Sequence, residues 1–180
     1  MVTIQEFKKK HLPILQEKLW LKNVHETPAV DKVIVSIGIG SLATRKSQKD
    51  FSELEENLTK ITGQHPRMIM SKQSISNFKL REWMPVMLQV TLRKGMAYDF
   101  LWRLTTLVLP RLRDFAGLLP KHFDGQANYN LGLPNYNIFP ELGVDDVTIQ
   151  TGIQITIVPT TDNVDHAKAL LQSIGFIFKD

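Results

Sequence analysis

Residues Val86 to Arg93 alternate in period 2: Val86, Leu88, Val90 and Leu92 fall on one side, Met87, Gln89, Thr91 and Arg93 on the other. Such a segment can be dry on one face only, because the other face ends in groups that keep water or a polar partner. Residues Gly152 to Pro159 repeat the pattern, with Ile153, Ile155 and Ile157 set against Gln154 and Thr156. Strands of a parallel sheet covered on both faces read instead as continuous apolar runs. Half-buried strands interspersed with amphipathic helices predict an α+β chain, a largely antiparallel sheet with helices packed on one face and a polar face left open.

Other elements fit around these strands. Lys32 to Ile37 is rich in β-branched residues and predicts a strand ended by Gly38 and Gly40, and Arg67 to Met70 predicts a short one. An N-terminal helix is expected over 4–22, kinked or broken at Pro13. A second is expected over 47–61, where Phe51, Leu54, Leu58 and Ile61 form one stripe and Gly63 stands at the C-cap. Gly95 precedes a third over 96–109, interrupted by Pro110, and Asp162 or Asn163 caps a last one over 164–173. Ser71 to Pro85 has no period and reads as a long loop, and 114–140, full of Gly, Asn, Asp and Pro, reads as irregular. The whole is expected to form a single domain, 1–180, with the helix 4–22 preceding a core over 30–180.

A formal net charge of +4 conceals a polarity along the chain: residues 60–121 carry 11 basic and 3 acidic groups, residues 122–180 only 2 basic and 7 acidic. The basic third predicts an anionic partner. The absence of cysteine excludes a disulfide framework and any thiolate metal site. His11, His25, His65, His122 and His166 lack ligand spacing, so no metal and no cofactor is expected. Asp114, Asp124, Asp145 and Asp146 could be imagined as paired carboxylates, but nothing gathers an acid, a base and a nucleophile, and no catalytic residue is assigned. No apolar run approaches the ~20 residues of a membrane-spanning helix, and Met1 to Lys10 lacks a signal-type apolar stretch, so no membrane is expected and the default location is the cytosol.

One enzyme-like signal competes. Gly38-Ile-Gly-Ser-Leu-Ala43 follows a strand and matches the dinucleotide fingerprint, which makes a small nucleotide-binding enzyme the alternative reading. Confirmation would need a helix starting at the glycines and an acidic group ending the next strand. The convincing helical stripe starts only near Phe51, and the next strand ends at Ser71 and Lys72. A glycine turn leaving a strand is the simpler account. The 71–85 loop carries more weight: Lys72, Lys79 and Arg81 interleave with Ser71, Ser74, Ser76, Asn77 and Phe78, the cations, hydroxyls and aromatic that phosphate, ribose and base stacking require. Trp83 and Met84 at its end could instead serve as buried anchors.

Seven ordered stretches carry a resemblance: Ile61 to Pro66, Lys72-Gln-Ser-Ile-Ser-Asn-Phe-Lys-Leu-Arg81, Val90 to Arg93, Leu109-Pro-Arg-Leu-Arg-Asp-Phe-Ala-Gly-Leu118, Phe123-Asp-Gly125, Asn128 to Gly132 and Ile138 to Glu141. They span nearly the whole chain, which resembles the bacterial-type large-subunit ribosomal protein L five family, whose members bind 5S ribosomal RNA. The resemblance implies a structural protein of the central protuberance, held on 5S and neighbouring large-subunit ribosomal RNA. It implies RNA-facing polar groups at Ser36, Gln64 and Thr91, to which we add Arg67 and Arg93. It implies that the loop around Lys72, Ser74, Ser76, Asn77, Phe78, Lys79 and Arg81 approaches P-site transfer RNA and, among neighbouring ribosomal proteins, a small-subunit protein across the intersubunit bridge. The chain departs from the family's usual residues at Ser36 (Asn), Ala127 (Gly), Met87-Leu88 (which displace a Gly) and Ala116 (a basic residue), departures that suit an unusual lineage or an organelle ribosome.

Overall fold

A computed structural model describes residues 12–45, 50–112, 115–143 and 148–179. In chain order the described elements are α1 (12–18), β1 (Val30–Gly38), α2 (Gly40–Arg45), α3 (Ser52–Thr62), β2 (Arg67–Met70), β3 (Pro85–Arg93), α4 (Lys94–Arg103), β4 (Tyr129–Leu133), β5 (Ile153–Pro159) and α5 (Val164–Ile174). The strands form one antiparallel sheet in the order β2-β3-β1-β5-β4, the α+β architecture expected. Residues 1–11, the first part of the expected 4–22 helix, lie outside the described residues, as do 46–49, 113–114 and 144–147, which include Asp114, Asp145 and Asp146.

The chain divides into two compact units. The first comprises Met1–Val33, Leu92–Leu131 and Thr156–Asp180. Its core is built from Tyr98, Phe100, Leu101 and Leu104 of α4 and its extension, Tyr129 and Leu131 of β4, and Ala167, Leu170 and Leu171 of α5. The buried Tyr98 hydroxyl accepts the Val30 N–H at 3.0 Å, which removes an otherwise orphaned donor at the start of β1. The expected cap at Asn163 is present: its side-chain oxygen accepts the Asp165 N–H at 2.9 Å. Near the C-terminus, Phe178 stacks on Phe123 and meets Tyr129 edge-on.

Three elements of this unit differ in extent or kind from the expectation, although Pro110 does interrupt the helix as expected. Gly95 does not precede α4 but lies in its first turn. That helix passes into a π-turn over Leu104–Val108 and a 3-10 turn over Leu109–Arg111, because Pro110 offers no N–H and crowds the preceding turn. The supposedly irregular 114–140 contains β4, whose Tyr129, Leu131 and Leu133 are buried at period 2. Asn130 and Gly132, poor strand formers, disguise that alternation.

The second unit comprises Ile34–Thr91 and Gly132–Ile155. Its core unites Val35, Ile37 and Ile39 with Leu54, Leu58 and Ile61 of α3, Leu88 and Val90 of β3, Tyr136 and Phe139. The helix α3 ends as foreseen: Gly63 adopts the left-handed conformation (φ 74°) and donates its N–H to the Thr59 carbonyl at 2.7 Å. At its other end Glu53 Oε1 accepts the N–H groups of Thr148 (2.8 Å) and Ile149 (3.2 Å), fastening the approach to β5. Contrary to the expectation of a plain glycine turn, a helix does start at the glycine pair. The short α2 begins at Gly40, with Leu42 and Ala43 buried.

Candidate RNA interface

Within the second unit, β2 and β3 pair antiparallel with Arg67 opposite Gln89 and Ile69 opposite Met87. Directly opposed residues share a face. Because Leu88 and Val90 point into the core, Arg67, Gln89 and Thr91 stand together on the other side, the polar face that the alternation of β3 implied. The register also directs Gln64, just before Arg67, toward the Thr91 end of β3. Thr62 Oγ1 fixes the backbone there: it donates to the Leu58 carbonyl at 2.7 Å, lies 3.0 Å from the Gln64 carbonyl and accepts the Gln64 N–H at 3.3 Å. The Gln64 side chain stays exposed. Among the described residues, neither the Gln64 side-chain amide nor the Thr91 hydroxyl has a hydrogen-bond partner.

Ser36 sits differently. It lies on β1 opposite in parity to Val35 and Ile37, yet is only 8% exposed. It lines a shallow depression of about 250 Å3 with Gly38, Met87, Gly152 and Gln154. At Gly152 a Cβ would stand 3.1 Å from the Leu133 carbonyl oxygen, so the close approach of two backbones keeps this surface concave. Met87, Gln89 and Gln154 were visible in the sequence as polar-face positions of their strands. Their meeting with Ser36 or Arg67 was not, since it depends on strand order. Arg93, in the first unit, is engaged: its guanidinium lies 3.5 Å from Asp31, an exposed pair of little energetic weight that leaves it able to change partner.

The 71–85 segment is more structured than its composition suggests. Ile75 and Leu80 exchange both backbone hydrogen bonds, at 2.9 and 3.1 Å, around a 3-10 turn at Ser76–Phe78. Ser74 Oγ accepts the Glu82 N–H at 2.9 Å. Lys79 closes the turn with φ 54°, a conformation costly for a side-chain-bearing residue. The tip thereby presents Phe78, 73% exposed, next to Lys79. Trp83 is no buried anchor; it is 75% exposed, with φ 63°. Among the described residues, Lys72, Lys79, Arg81 and Arg67 have no ion-pair partner. Cations left unneutralised beside bare aromatic rings favour an anionic, stacking ligand.

The chemistry of a catalyst is not assembled here. Among the described residues no group of three or more His, Asp or Glu could hold a metal, and no helix is long and apolar enough to cross a membrane. The shifted acids serve as turn formers: hydrogen bonds from Ser52 lower Asp50, and those from Asn128 and Gln126 lower Asp124. Although α2 does follow Gly38, it has only six residues and β2 brings no carboxylate to its end, so a dinucleotide has neither a long dipole nor a ribose acceptor.

Family models match in two consecutive blocks: "Ribosomal protein L5" over residues 23–81, and the model of the same ribosomal family's C-terminus over residues 85–178. The chain belongs to the ribosomal protein L5 family. It is 38% identical over 177 residues to the large ribosomal subunit protein uL5 of Halothermothrix orenii, covering 98% of each chain. To the protein of the same name from Syntrophotalea carbinolica it is 44% identical over 166 residues, covering 92% of this chain and 89% of that one. The family has a structural role in the large subunit and is not enzymatic, which removes the nucleotide-enzyme reading of Gly38 to Ala43.

Proposed function

We propose that this protein binds 5S ribosomal RNA in the central protuberance through Ser36, Gln64, Arg67, Thr91 and Arg93, and that its loop 72–85 extends toward P-site transfer RNA and a small-subunit protein. Neighbouring large-subunit ribosomal RNA and proteins complete the surroundings, and the ribosome is its location. The observation that carries the reading is the cluster of unpartnered polar groups on the β2–β3 face, Arg67, Gln89 and Thr91, with the exposed Gln64 three residues before β2. Neutral donors and acceptors on a rigid strand read ribose and base edges, while the surrounding cations supply sequence-independent attraction to phosphate.

The test is equilibrium binding of the full chain to 5S ribosomal RNA across a salt series. With several basic groups engaged, log K is expected to fall against log salt with a slope of magnitude roughly 3 or more. A slope near zero would show that the basic third is only a solvated surface.

Thr91→Val separates recognition from attraction. The substitution keeps shape and strand propensity and removes one hydroxyl. A loss of about 1–2 kcal/mol in RNA affinity is expected, with the salt slope and thermal stability unchanged. Parent-like binding by a normally folded variant would refute the placement of Thr91 at the RNA.

A further inference from the structure

A cleft of about 520 Å3 opens between α2 and the tip of the β2–β3 loop, within the usual range of small-ligand sites. Ser41 and Thr44 line it from α2, Asn77, Phe78 and Lys79 from the loop, and Val86 adds apolar surface. Three features specify its occupant. The Phe78 ring is held out in water by a tip whose backbone is pinned by the Ile75–Leu80 pair. The Thr44 hydroxyl donates to the Gly40 carbonyl at 2.8 Å, so what it has left to offer is lone pairs. Exposed Ser41 and Asn77 supply donors as well as acceptors, and Lys79, without an ion-pair partner among the described residues, supplies the charge.

A flat apolar face, a few edge-reading polar groups and one cation are together the complement of a nucleotide that has left its stack. We propose that the cleft receives a single unpaired nucleotide of an RNA partner, its base lying on Phe78, its edge read by Asn77, Ser41 and Thr44, and its phosphate at Lys79. The proposal rests on the RNA-binding reading above and adds a site that involves α2. Both ribosomal and transfer RNA can present such a nucleotide, so the source is decided by experiment.

Full-length protein is titrated separately with 5S ribosomal RNA and with deacylated transfer RNA, using Phe78→Ala, Ser41→Leu, the double variant and Phe78→Tyr. Ser41→Leu places a bulkier apolar side chain in the cleft from the α2 side and leaves the loop sequence unchanged. Each of the first two variants is expected to weaken binding of the same RNA by about tenfold, the loss of one stacked base. The double variant should be little worse than either, and Phe78→Tyr should match the parent. The RNA that responds identifies the source. If Ser41→Leu binds both RNAs like the parent, or if the two losses multiply in the double variant, the loop tip makes only a surface contact and the cleft assignment is overturned. Should leucine disturb folding, as judged by circular dichroism, Ser41→Gln adds comparable bulk at the same place with a polar side chain. Failure of the parent to bind either RNA would overturn the RNA reading itself, and the cleft assignment with it.

Discussion

Tyr129→Ala is expected to lower the stability of this protein by about 3–5 kcal/mol, the loss typical of deleting a large aromatic side chain from a packed core. Tyr129 is fully buried. Its ring meets Phe123 edge-on at 4.8 Å and Phe178 at 5.6 Å, and its hydroxyl donates to the Leu119 carbonyl at 3.2 Å. The alanine variant would leave a cavity between the 118–123 segment and the C-terminal residues, which are joined by the Leu118–Phe178 bridge. Tyr129→Phe, which keeps the ring, is expected to cost only about 1 kcal/mol. Urea denaturation of the three proteins gives the comparison, and an alanine variant within about 1 kcal/mol of the parent would show that the cluster is not part of the stabilising core. The same residue sets a pH dependence. Burial pushes the Tyr129 hydroxyl up from 10.0 to about 12, so between these values the unfolded chain loses this proton and the folded chain keeps it. The contribution of Tyr129 is therefore fully present below pH 10, declines between 10 and about 12, and levels off above. The phenylalanine variant should lack that part of the alkaline decline.

Replacing Lys72, Lys79 and Arg81 together by alanine is expected to weaken RNA binding by roughly a hundredfold near 0.15 M salt while leaving stability unchanged. If all three meet phosphate, their removal lowers the salt slope by about 2.4, at roughly 0.8 for each contact. Extrapolated from a 1 M reference to 0.15 M, that slope difference corresponds to about two decades in affinity. All three side chains are exposed, and among the described residues none has an ion-pair partner whose loss would disturb the fold. The measurement is again a salt series, with 5S ribosomal RNA and transfer RNA in parallel. An unchanged slope for both would exclude the loop from phosphate contact, and a change confined to transfer RNA would divide the two partners between loop and strand face.

The pattern of residues by itself determined the elements whose burial repeats regularly. The period-2 runs in β3 and β5, the α3 stripe closed by Gly63, and the helix capped by Asn163 were legible because each follows from local sterics and from one face needing to leave water. Where local preference and tertiary context disagree, tertiary context decides. β4 is held by its neighbours and by the burial of Tyr129, Leu131 and Leu133 despite two poor strand formers. The short α2 exists because Leu42 and Ala43 are buried, a gain that no single-sequence propensity records. The candidate site divides in the same way. Residue chemistry alone picked out Lys72, Lys79, Arg81 and the polar side of β3, whereas only the tertiary structure decided that Arg67 stands opposite Gln89, that Ser36 shares a concave surface with Gln154, and that Phe78 and α2 line one cleft. The reason is physical: periodicity fixes which way a side chain faces relative to its own backbone, but strand register and loop path, set by long-range packing, fix which side chains it meets.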